Sequence, residues 1–131
     1  MKRFIILILM TLTLDAKIIV VANKNSPLPS LPKEIVQYLY LAKINEYDHI
    51  RIEPIVSKDE ELHNQFCDKI LCKTTSQYNS YWARLVFTGK KPIAKRYELQ
   101  DIAKKLQEPN TIAYIDKKDL KDEWKIVYEE N

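Results

Sequence analysis

The sequence predicts an α/β domain of three layers, a small mostly parallel sheet flanked by helices. Three observations carry this. Short β-branched runs at residues 17–22, 50–56 and 111–115 read as strands. Stretches with apolar residues at helical spacing lie between them, giving the order β-α-β-α-α-α-β-β. No linker, repeat or low-complexity tract interrupts residues 17–131, so these elements belong to one domain. Parallel neighbours in such a sheet are joined by right-handed crossovers.

The totals narrow the function. The chain has 131 residues, with 21 Lys+Arg against 18 Asp+Glu, a net charge of +3. That balance, with basic pairs scattered at Lys90-Lys91, Lys104-Lys105 and Lys117-Lys118, argues against a nucleic-acid partner. Gly89 is the only glycine. A Walker loop, a dinucleotide fingerprint and a G-x-S-x-G elbow each need glycines where a side chain would block close approach, so all three are excluded.

Residues 1–16 read as a cleaved secretory signal peptide. Lys2 and Arg3 form a positive start, residues 4–14 are apolar, and Leu14-Asp15-Ala16 offers a cleavage site. The apolar run is too short to span a bilayer comfortably. The rival reading is an uncleaved N-terminal anchor. A lipoprotein is disfavoured because the first cysteine is Cys67. The expected location is the periplasm, with membrane contact only during export.

Residues 17–22 form a run buried on both faces, the kind found in parallel sheets. Asparagines and prolines then make a loop over residues 23–29. Ser30 is a candidate N-cap for the first helix, with Pro32 in its first turn and an apolar face on Ile35, Tyr38, Leu39, Leu41 and Ala42. Asp48 and His49 fall in a turn. A second strand follows at residues 50–56, where Pro54 marks an edge or bend. Ser57 with Glu60 three residues on reads as a capping box for the next helix, whose stripe is Leu62, Phe66, Ile70 and Leu71. Thr74-Thr75-Ser76 ends that helix and caps the following one.

That following helix, around Tyr78, Tyr81, Trp82, Leu85 and Val86, has one thickly apolar face. Gly89 suits a left-handed C-terminal position, Lys90 and Lys91 suit the negative helix end, and Pro92 prevents continuation. The expectation is that the rest of the chain packs around this helix. A basic loop at residues 90–95, a helix at 97–106, a strand at 111–115, a charged turn at 116–121 and a strand at 124–128 complete the chain.

Candidate chemistry is sparse. Cys67 and Cys72 form either two free thiols or a bridge, which needs the helix to end near Ile70. His49 and His63 lack partners at metal-ligand spacing and read as surface residues, although His63 and Cys67 are an i, i+4 pair. No Ser/His/Asp order is readable. The expectation is a protein that is not an enzyme, with no metal and no cofactor. In an open α/β sheet ligands bind beyond the strand C-termini, where helices present free N–H groups. Asn23, Asn25, Ser26, Ser30, Ser57 and Lys58 would gather there, beside Lys24, and could hold a small oxyanion; they could equally be caps and turns.

Several stretches together resemble a known family. They are the strand ending in Asn23, Tyr40-Leu41-Ala42-Lys43, Ile52-Glu53-Pro54-Ile55-Val56, Gln65-Phe66, the run from Tyr81-Trp82-Ala83-Arg84 through Phe87-Thr88-Gly89-Lys90, and residues 109–115. The chain is similar, over about residues 17–116, to short exported relatives of the phosphate-type ABC transporter substrate-binding proteins, with a periplasmic-binding-protein-like domain of type 2. Full-length members have two lobes that close on phosphate; this chain matches the element order of the later lobe. The resemblance implies a periplasmic protein holding an oxyanion such as phosphate without covalent chemistry, with an ABC permease or another periplasmic protein as partner and a homodimer as one way to complete the cleft. Asn23, Ser30 and Ser57 lie at matching loop positions and are the binding candidates. Lys58-Asp59-Glu60-Glu61 stands where the family carries a Ser-Gly-Thr-like turn, and Asn110-Thr111-Ile112-Ala113-Tyr114 lacks the family's glycines. Carboxylates repel an anion, so the alternative is an interaction module that kept the lobe and lost the ligand.

Overall fold

The computed structural model describes residues 16–92 and 95–130; the expected leader, apart from Ala16, lies outside them. The elements are β1 (Ile18–Asn23), α1 (Lys33–Tyr40), β2 (Glu46–Tyr47), β3 (Ile50–Arg51), β4 (Glu53–Ser57), α2 (Glu60–Phe66), a π turn (Cys67–Leu71), α3 (Thr75–Phe87), β5 (Arg96–Tyr97), α4 (Leu99–Lys105), β6 (Thr111–Asp116), a 3-10 turn (Lys117–Asp119) and β7 (Trp124–Glu129). The main sheet has the order β5-β4-β6-β1-β7. β4 is parallel to β5 and β6, whereas β1 is antiparallel to both β6 and β7. Four strands therefore share one direction and β1 runs against them. Burial on both faces does not reveal strand direction, because it depends on the covering layers and not on the ladder.

Alternation along the strands divides the core. Ile18, Val20 and Ala22 of β1 face the same side as Ile112 and Tyr114 of β6, and α1, α2 and the π turn cover them with Val36, Leu39, Tyr40, Phe66, Ile70 and Leu71. Ile19, Val21, Ile55, Ala113 and Ile115 face the other side, against Ile102 and Leu106 at α4. This is the three-layer arrangement expected. A bulge leaves Val127 unpaired with β1, and its carbonyl accepts from the Leu31 N–H at 2.7 Å.

α3 is not the organising element. Tyr78 is its one buried residue, Tyr81, Trp82, Leu85 and Val86 are half-buried, and Phe87 is 93% exposed. The helix lies along the rim of the helical layer: Tyr81 Oη donates to Leu41 O at 2.6 Å and Tyr78 packs on His63. β6, the middle strand, and β1 beside it hold the centre instead, with Thr111 to Ile115 and Ile18 to Ala22 all buried. Periodicity identifies an apolar face but not the area of the surface it meets.

The helix ends are partly as expected. Thr74 forms a full capping box with Gln77. Gly89, at φ +71°, ends α3 in a Schellman motif, with Lys90 N–H to Leu85 O and Gly89 N–H to Val86 O, both 3.0 Å. Two caps move. Pro32, not Ser30, is the N-cap of α1 and makes no side-chain bond. Asp59, not Ser57, caps α2, because a carboxylate directly before the helix reaches the Leu62 N–H at 3.1 Å. The expected strand at residues 50–56 is split. Its first part pairs with Glu46–Tyr47 in a hairpin whose turn residues Asp48 and His49 both have positive φ. Pro54 sits where the β5 side of β4 is unpaired, since β5 meets only Val56 and Ser57.

Candidate functional site

β4, β5 and β6 end together, and α2 and α4 begin beside them. Between these helix starts lies a cleft of about 430 Å³, floored by Tyr114 and Ile115 and walled by Ser57, Lys58, Leu62, Leu99 and Ile102. Asp59, Glu98, Asp116 and Asp119 rim it. Lys58 is the one cation in its lining among the described residues and lies 3.8 Å from Glu98. Two backbone N–H groups at the start of α2, those of Asp59 and Leu62, are already engaged. Ser57 Oγ accepts from Asp59 N–H at 3.1 Å, and Asp59 Oδ1 accepts from Leu62 N–H. The chain thus supplies its own carboxylate where a helix start would otherwise meet an external anion.

Under Ser57 lies a buried polar cluster that the sequence reading missed. His63, expected at the surface, is 1% exposed. Its Nδ1 is 2.5 Å from Tyr114 Oη, which also accepts from the Ser57 N–H at 3.0 Å. On its other side Nε2 is 3.6 Å from Cys67 Sγ and 3.4 Å from Arg96 Nη2. Burial, then the nearby Arg96 charge, lowers the His63 pKa to about 4. Burial raises the Cys67 thiol to about 11, so at neutral pH it is a thiol beside a neutral imidazole and not a nucleophile. The i, i+4 spacing of His63 and Cys67 was the available signal. Phe66, stacked on Tyr114 with ring centroids 3.8 Å apart, turns that helical face inward. Both cysteines are free, Cys67 buried and Cys72 exposed at a left-handed φ of 56°.

The three binding candidates do not converge. Ser57 ends β4 at the cleft, with its hydroxyl committed to Asp59. Asn23 ends β1, which runs the opposite way, and pairs with Trp124 at the start of β7. It therefore sits at the far end of the sheet, donating to Leu106 O at 3.1 Å and accepting from Asn25 N–H at 2.8 Å. Ser26 goes with it: its buried hydroxyl accepts from Leu28 N–H, and its carbonyl takes Lys125 Nζ at 2.6 Å. Lys24 N–H donates to Glu123 O at the same end. Ser30 is exposed between the two ends. The expected polar edge is corrected by the reversal of β1. Among the described residues no group of three His, Cys, Asp or Glu side chains is placed to hold a metal, and no helix is long and apolar enough to cross a membrane.

No protein-family model and no curated protein matches the chain. Solved structures do match its fold. A protein assigned as a phosphate ABC transporter substrate-binding protein from Clostridium perfringens, solved with bound phosphate, has TM-score 0.64 and 15% identity, over 85% of this chain and 44% of that one. An ABC-type phosphate transport receptor from Vibrio cholerae has TM-score 0.64 and 11% identity, over 85% of this chain and 45% of its own. This chain shares the fold of the matched part of these two proteins. This chain spans less than half their length, the extent of a single lobe.

Proposed function

We propose that this chain is an exported, non-enzymatic binding lobe that works by docking to another protein and not as a receptor for free phosphate. The observation that carries this is the Asp59 carboxylate on the Leu62 N–H, with Glu98, Asp116 and Asp119 around the same cleft. A phosphate entering there would meet the Asp59 carboxylate, already bonded at the helix start, and three more around it. The test is calorimetric titration of the refolded mature chain, residues 17–131, with phosphate and then sulfate at low salt. No saturable heat at millimolar anion, with the fold verified, is expected; saturable micromolar binding would overturn the reading. Export is checked by fractionation and intact mass, with cleavage expected after Ala16.

A second reading, a half-site for an oxyanion completed by another chain, is favoured by the phosphate bound in the Clostridium perfringens protein of the same fold and by the cation Lys58 at the cleft. Its signature in the same titration is one anion per two chains. An ABC permease partner follows only on that second reading.

A further inference from the structure

Charge is segregated along this chain. Residues 69–97 hold seven cations, Lys69, Lys73, Arg84, Lys90, Lys91, Lys95 and Arg96, and none of the 18 carboxylates. Most of these cations follow α3, whose exposed side chains are polar apart from Ala83 and Phe87. Phe87 is 93% exposed, against 45% and 37% for Leu99 and Leu120. It lies one turn beyond Ala83, which with Val86, Trp82 and Arg96 lines a crevice of about 260 Å³. Trp82 also lines a second crevice, of about 440 Å³, with Ile44, Ile52, Lys91, Pro92 and Lys95, where Glu53 is the one carboxylate. Arg96 Nη2 lies 3.4 Å from His63 Nε2 and 3.5 Å from Asn79 Oδ1. No carboxylate pairs with Arg84, Lys90, Lys91, Lys95 or Arg96 among the described residues.

We infer that this face of α3, with Phe87 as its projecting anchor, docks an acidic amphipathic segment of a partner protein. The inference rests on the protein-docking reading above and names its surface and partner chemistry. Lys91, Lys95 and Arg96 beside the apolar crevices match a helix with leucines on one face and carboxylates on the other, while Lys95 and Arg96 also border a cleft that holds Glu98, Asp101 and Glu108. A lipid surface fits less well, because the apolar area around Trp82 is concave and Phe87 stands outside both crevices. A second copy would have to offer its cleft rimmed by Asp59, Glu98, Asp116 and Asp119, an occupant that dimerisation in solution would reveal.

The probe is a blocked synthetic helical peptide with leucines on one face and glutamates on the other, titrated into isotope-labelled protein by NMR. Saturable binding is expected, with shifts centred on the Trp82 indole, Phe87 and Arg96. Phe87→Ser and the pair Lys90→Glu, Lys91→Glu, all at exposed or half-exposed positions, should each weaken it by about tenfold. No binding would overturn the inference. So would equal binding of a peptide with serines for leucines, or shifts spread over Lys104, Lys105 and Lys117. Preferential binding to phosphatidylglycerol vesicles, or concentration-dependent dimerisation abolished by Phe87→Ser, would assign the face to another occupant and overturn it too. The phosphate titration is independent of this outcome, so the two readings fail separately.

Discussion

His63 Nδ1 lies 2.5 Å from the phenolic oxygen of Tyr114, and neither residue reaches solvent. This contact joins α2 to β6, and through the Ser57 N–H it also ties down the end of β4. Tyr114→Phe keeps the ring stacked on Phe66 but removes the hydroxyl, leaving the Ser57 N–H and a His63 nitrogen buried without partners. An unsatisfied buried group costs about 1–3 kcal/mol. A loss of about 2–4 kcal/mol in urea unfolding is expected, and an unchanged midpoint would show the contact to be idle.

The same contact predicts acid sensitivity. His63 is faced by Arg96, Cys67, Tyr78 and Tyr114, none of which is a carboxylate that could stabilise its charged form. Its pKa is lowered from 6.5 to about 4 on folding. Between those values the unfolded chain binds the proton and the folded chain does not. The contribution is therefore fully present above pH 6.5 and is lost as pH falls toward about 4, up to about 3 kcal/mol. Unfolding free energies at pH 7.5 and 4.5 should differ more for the parent than for His63→Gln. Equal differences would remove His63 as the cause.

Two caps separate by position. Asp59→Ala should destabilise the fold by about 1 kcal/mol, because its carboxylate holds the Leu62 N–H. Ser30→Ala should change stability by less than about 0.5 kcal/mol, since Ser30 is exposed and does not cap α1. Chemical denaturation of both variants measures this, and a reversed order would contradict the capping assignment.

Gly89 stands at φ +71° with open space where a Cβ would project. Gly89→Ala therefore adds no clash but places an L-residue in the left-handed region, at about 1–2 kcal/mol. Because the strain is in the backbone, Gly89→Asn should cost less than Gly89→Ala; thermal unfolding of the two compares them.

The thiols should respond differently. Cys72 is exposed, whereas Cys67 is buried with its pKa raised to about 11. A thiol reagent at neutral pH should label one cysteine per native chain, Cys72, and the second only after denaturation. Fast labelling of Cys67 in the native state would show that the π turn opens.

The sequence by itself determined the three-layer class, a cap for α3 within Thr74-Thr75-Ser76, the Gly89 stop and the positions of β1, β6 and β7. These depend on local period, on caps within a few residues and on one glycine, and all are written in consecutive side chains. Tertiary structure alone decided three further matters. The first is the direction of β1, which carried Asn23 away from Ser57, because a buried run reads the same in either direction. The second is the depth of α3, because an apolar stripe does not report how much surface awaits it. The third is the burial of His63, which required Tyr114 of a strand 51 residues away to supply its partner. Burying a polar side chain without such a partner costs free energy, so the partner decides whether the core tolerates it.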